Sequence, residues 1–133
     1  MALIYRAHFA FSKNPIMNSK GMNTSPIYGF LNTLIELIRK EEPTHLAVVF
    51  DTKAPTFRSE IFVDYKANRE RQPEDIQISI PFIKKILQLL SIKILEKDGF
   101  EADDVIGSLA TQLASDVDTI IYMMTPDKDF AQL

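Results

Sequence analysis

Gly99-Phe100-Glu101-Ala102-Asp103-Asp104-Val105-Ile106-Gly107 places three carboxylates within four residues, directly ahead of the apolar positions Val105, Ile106, Leu109, Ala110 and Leu113. That spacing predicts an amphipathic helix from near Glu101 to about Ser115. On such a helix Glu101 and Asp104 lie one turn apart on the same face, with Asp103 beside them. Crowded carboxylates repel one another unless a hard cation sits among them, and their oxygens suit Mg²⁺ or Mn²⁺. Acidic residues are equally at home in any first helical turn, where they complement the positive end of the dipole. A second acidic element, Asp127-Lys128-Asp129, follows a strand-like run and weighs toward the cation.

Working outward, two apolar runs read as strands buried on both faces, because neither alternates with polar residues. One is His45 to Phe50; the other is Thr119 to Met124. Asp51 leaves the carboxyl end of the first, which is where open parallel sheets place their ligands. An aspartate in that position also commonly closes a loop through an Asx-turn. Ile92 to Leu95 reads as a further short strand.

Three helices complete an α/β pattern. Ala2 to Phe11 is short and apolar apart from Arg6 and His8. Arg6 there is either a phosphate anchor or a side chain that snorkels from a core-facing turn, and His8 reads as packed. Ser25-Pro26 predicts a helix start, with Ser as cap and Pro in the first position. Ile27, Phe30, Leu31, Leu34 and Ile38 follow as its buried stripe. Pro73-Glu74-Asp75 opens the third, with Ile76, Ile80, Ile83, Ile86, Leu87 and Leu90 inward. Pro81 is expected to kink or divide that helix.

The 133 residues suit one domain with a real core, read as 1–133. There is no cysteine, which excludes disulfides and thiolate metal sites and fits a cytosolic protein. No apolar run approaches the ~20 residues of a membrane span. The net charge of −3 hides an asymmetry. Residues 53–72 hold five basic side chains against three acidic, whereas residues 93–129 hold nine acidic against three basic. Such a division suits a protein that grips a polyanion while holding cations at its reacting phosphate. Thr52 to Gln72 shows no clean period. Its Phe57-Arg58, Phe62, Tyr65-Lys66 and Arg69 mix aromatics with cations, as grooves for single-stranded nucleic acid do. Thr56 to Gln72 is expected to be the least ordered part of the chain.

Four blocks in this order carry a resemblance. They are Val49-Phe50-Asp51-x-Lys53-Ala54-Pro55-x-Phe57-Arg58, Tyr65-Lys66-x-x-Arg69, Gly99-Phe100-Glu101-Ala102-Asp103-Asp104-Val105, and Asp127-Lys128-Asp129. Together they resemble the N-terminal 5′-nuclease domain of bacterial DNA polymerase I, within the flap endonuclease family. Ala2 to Phe11, with Tyr5-Arg6, is similar to the helix that follows this family's first strand. Pro126 stands where the family usually has a small residue.

The resemblance implies a three-layer α/β/α fold of PIN-like type with a mostly parallel central sheet. It implies one metal cluster at Asp51, Glu101, Asp103 and Asp104 and a second at Asp127 and Asp129, with two Mg²⁺ or Mn²⁺ ions. Lys66 and Arg69 would steer and neutralise the scissile phosphate, Arg6, Arg58, Lys66 and Arg69 would contact DNA phosphates, and Tyr65 would stack on a base. The implied activity is hydrolysis of DNA near 5′ ends or flaps, for primer removal in replication and repair, in a bacterial cytoplasm at the nucleoid and with no membrane. A polymerase domain would follow in the same parent chain.

The family's first strand, with its metal-binding aspartate, and its C-terminal helix-hairpin-helix unit have no counterpart in these residues. The chain therefore reads as a partial domain, weakly active at most. It is expected to close its sheet or pair with a second copy through an open strand edge. A non-catalytic fragment that binds metal or DNA weakly is the alternative. A phosphatase of haloacid dehalogenase type is set aside, because Lys53 stands where that chemistry needs a second aspartate.

Overall fold

The computed structural model describes residues 1–62, 71–125, 128 and 130. Its elements run α1 (Ala2–Ala10), α2 (Ser25–Glu41), β1 (Ala47–Val49), α3 (Phe57–Ile61), α4 (Glu74–Leu89), β2 (Lys93–Leu95) and α5 (Ala102–Leu113). The fold is α/β. β1 pairs with β2 in a small parallel sheet, and the Phe50 N–H donates to the Leu95 carbonyl at 3.0 Å just past β1.

Two compact units are distinguished, one formed by Met1–Val48 and Glu70–Ile94, the other by Val49–Arg69 and Leu95–Leu133. In the first, α1, α2 and α4 all contact one another. Their core is Ile4 and Ala7 from α1, Phe30 and Leu34 from α2, and Ile76, Ile83 and Leu87 from α4. Gly29 lets α2 approach α1 closely, because a Cβ built there would lie 2.5 Å from the Ala7 Cβ. His8 packs its ring edge-on to Phe9, with centroids 5.2 Å apart. α2 starts one residue earlier than its Ser-Pro signal predicts. Thr24 is the cap residue, while Ser25 is buried and its Oγ accepts the Ile16 N–H at 2.8 Å. Ile38 is exposed and Leu37 turns partly inward in its place.

α4 runs unbroken through Pro81, so of the two expected outcomes, a kink or a division, the division does not occur. Pro81 lies on the exposed face, so its ring displaces no core side chain, and one backbone hydrogen bond of the helix is lost. The stripe Ile76, Ser79, Ile83 and Leu87 on the opposite face holds the helix together. Leu90, expected inward, is exposed, because α4 has already ended at Leu89.

The strands depart further from expectation. β1 spans three residues, not six, and Ala47 is exposed, so it is not buried on both faces. Thr119 to Met124 forms no strand; Ile120 is 79% exposed, with Tyr122 and Met124 also outward. Burial does alternate there, Ile121 and Met123 being half-buried, but the segment pairs with no strand among the described residues. Before it, the Asp116 carboxylate accepts the Thr119 hydroxyl at 2.6 Å and the Asp118 N–H at 3.2 Å. Those two bonds, the hydroxyl's first, hold the Asp116 carboxyl below the usual aspartate range.

Candidate metal centre at the start of α5

The second unit gathers the first acidic cluster around the N-terminus of α5. Phe50 is 2% exposed and fixes where the chain leaves β1. The next residue, Asp51, extends its Oδ1 to the Ala102 N–H at 2.9 Å. Ala102 is the first residue of α5, so a carboxylate from the strand end satisfies one of the orphan donors of the helix. Glu101 caps α5 reciprocally with Asp104. The Glu101 side chain accepts the Asp104 N–H, and Asp104 Oδ2 accepts the Glu101 N–H at 2.9 Å. The capping reading of the acidic stretch therefore holds for Glu101 and Asp104. They cap the helix, and in doing so they are held near Asp51.

A cation is already present in the arrangement. Arg58 Nη1 donates to Asp104 Oδ2 at 2.6 Å and Nη2 to Asp104 Oδ1 at 2.7 Å. This fork-to-fork pair is the strong form of carboxylate recognition. Arg58 is placed by α3, which the aperiodic sequence of residues 52–72 did not announce. The Phe57 N–H donates to the Gly99 carbonyl at 3.0 Å, the Phe57 and Phe100 rings lie 5.7 Å apart, and the Arg58 guanidinium sits 4.5 Å over the Phe57 ring. Gly99 takes φ +83°, a conformation that favours glycine, so Phe100 and Glu101 follow a turn other residues resist.

The structure thus brings together Asp51, Arg58, Glu101 and Asp104, with Asp103 exposed on the same first turn. Among the described residues, no three Asp, Glu or His side chains are drawn close enough to enclose an ion. Arg6 is exposed on α1 in the first unit. Tyr65, Lys66, Arg69, Asp127 and Asp129 lie outside the described residues. Sequence reasoning missed the Arg58–Asp104 pair, whose partners are 46 residues apart, and it missed Phe57 and Phe100 as its support. The one legible signal was the Phe57-Arg58 dipeptide itself.

The family described as 5′-3′ exonuclease, N-terminal resolvase-like domain, matches residues 1–133. A 5′-3′ exonuclease of Aquifex aeolicus is 46% identical over 132 residues, covering 99% of this chain and 45% of that protein. A DNA polymerase I of Treponema pallidum is 40% identical over 131 residues, covering 98% of this chain and 13% of that protein. The chain therefore spans less than half the length of these relatives. Among solved structures, that of the T5 D15 protein, co-crystallised with metal ions, superposes with a TM-score of 0.63 at 19% identity, over 96% of this chain and 46% of that one. At that identity the likeness speaks for the fold. Sequence and fold agree, and the chain belongs to the 5′-3′ exonuclease family, as its N-terminal resolvase-like domain.

Proposed function

We propose that this chain is the metal-holding part of a 5′-nuclease that hydrolyses DNA phosphodiesters near 5′ ends or flaps, as primer removal in replication and repair requires. The observation that carries the reading is the meeting of Asp51, from the end of β1, with the acidic start of α5. Membership of the 5′-3′ exonuclease family gives that meeting its chemistry. The donor set is all hard oxygen, which suits Mg²⁺ or Mn²⁺, and Asp104 already draws a full positive charge onto both of its oxygens. The chemistry of the donor set fits a divalent ion. Metal ions in the crystals of the T5 D15 protein support the same reading.

Asp51, Glu101, Asp103 and Asp104 would hold one ion, and Asp127 and Asp129 a second. When bound, such ions supply an activated water and stabilise the leaving oxygen. The chain's own contribution is placement. Phe50 and the capping box fix the carboxylates before DNA arrives, while Lys66 and Arg69 neutralise the phosphate. Arg6 and Arg58 would bind flanking phosphates, and Tyr65 would stack on a base. Relatives named DNA polymerase I support a polymerase domain in the parent chain and a cytoplasmic setting. No helix among the described residues is long and apolar enough to cross a membrane.

A second reading, a non-catalytic fragment that binds metal or DNA weakly, is favoured by one observation: among the described residues the carboxylates do not yet enclose an ion. Single-turnover cleavage of a 5′-labelled flap by excess chain in Mn²⁺ separates the two. The nuclease reading expects slow, chelator-sensitive cleavage near the flap junction that Asp104→Asn abolishes. DNA and metal binding with no cleavage at all would establish the fragment reading.

A further inference from the structure

Asp104 presents both carboxylate oxygens to Arg58, and Oδ2 also accepts the Glu101 N–H. The oxygens a divalent ion would take are therefore the ones the guanidinium holds. Arg58 carries about one third of its side-chain surface exposed and Asp104 about one fifth, at 33% and 22%, so solvent reaches the pair and exchange needs no opening of the core. In the same pose the guanidinium lies 4.5 Å over the Phe57 ring, itself held against Phe100. A cation resting on an aromatic face keeps its donors available at its edge.

We infer that Arg58 is an exchangeable counter-ion of Asp104. The guanidinium and a divalent cation are alternative partners of the same carboxylate, and Arg58 displaced from Asp104 turns its donors to a DNA phosphate. Arg58 thereby lowers the metal affinity of the centre and couples its own phosphate contact to metal loading. The inference rests on the metal-binding reading above, and the two can fail separately. Arg58 is a positioning and gating residue in this scheme until it touches phosphate.

The test is Mn²⁺ binding to the chain, followed by the electron paramagnetic resonance of free Mn²⁺. Side-chain nitrogen NMR of the wild type under Mg²⁺ titration accompanies it. Arg58→Met should bind Mn²⁺ about three- to tenfold more tightly, as loss of a partly exposed competing ion pair implies. Arg58→Lys, which keeps the charge without the fork, should fall between that and wild type. Lys53→Met, removing another cation of the same unit, should change the affinity by less than about twofold, since exposed charges are screened over a Debye length. In the wild type, the Arg58 guanidinium signals should move to solvent-like positions as Mg²⁺ saturates. Unchanged or weaker Mn²⁺ binding in Arg58→Met, with Asp104→Asn still losing the ion, would overturn the exchange and leave the metal reading standing. Equal Mn²⁺ binding by Asp104→Asn and wild type would overturn both. The NMR arm decides even if Arg58→Met fails to fold, because Arg58 signals that stay fixed at saturating Mg²⁺ also overturn the exchange.

Discussion

Asp104 accepts three hydrogen bonds at the start of α5, two from the terminal nitrogens of Arg58 and one from the Glu101 backbone. Read as part of a repelling carboxylate cluster, Asp104 would be removable without harm to the fold. These contacts reverse that expectation. Asp104→Ala loses one of the two bonds of the capping box, worth up to about 1 kcal/mol, and an ion pair worth up to about 1 kcal/mol. Urea unfolding should show a loss of about 1–2 kcal/mol, with Asp104→Asn losing less because its amide oxygen can still cap. A stability for Asp104→Ala equal to wild type would show the contacts to be idle.

The crossing of α1 and α2 gives a sharper stability test. A methyl group at Gly29 would stand 2.5 Å from the Ala7 Cβ and 3.3 Å from the Ala7 Cα. Gly29→Ala therefore forces the helices apart, at about 1–3 kcal/mol of overpacking. The gain in helix propensity offsets at most ~1 kcal/mol of this. Ala7→Gly added to Gly29→Ala should restore part of the loss, and thermal melts of the single and double variants check it.

α2, α4 and α5 were legible because their apolar stripes are long and cover several turns, and each falls within a residue or two of where the periodicity puts it. The strands were less so. Residues 119–124 have the composition of a buried strand, but a strand needs a neighbour for its backbone, and sequence does not say whether one is there. Pro81 does not divide α4, since a lost hydrogen bond on an exposed face is outweighed by the packing of Ile76, Ile83 and Leu87. Of the site, the acidic residues stood out by spacing. The contacts that organise them, Asp51 to Ala102 and Arg58 to Asp104, are tertiary and left no periodic mark.

Residues 117–124 also have a consequence in solution. Ile120, Tyr122 and Met124 are exposed, next to Val117 at 95% exposure, and a run of exposed apolar side chains is a site for association. Sedimentation velocity should show concentration-dependent self-association of the chain, and Ile120→Lys should suppress it. A monomer at all concentrations would remove the homodimer from the account.

Lys66 and Arg69 are proposed to act on DNA. Lys66→Ala and Arg69→Ala should each weaken binding to flap DNA and reduce the dependence of log affinity on log salt concentration by about one unit. Melting temperatures should stay within a degree or two of wild type, as for surface changes. A drop in melting temperature like that of a core substitution would make either residue structural.

The central claim is that Asp51 and the acidic start of α5 form one divalent-metal centre. Paramagnetic broadening of backbone amide signals by substoichiometric Mn²⁺ tests it most directly, because the effect reports distance from the ion residue by residue. The account predicts that the amides of Asp51 and Thr52 and those from Phe100 to Asp104 broaden first and together, and that Asp104→Asn abolishes this. Broadening centred elsewhere, or at Asp116 and Asp118 with the α5 start unaffected, would contradict it.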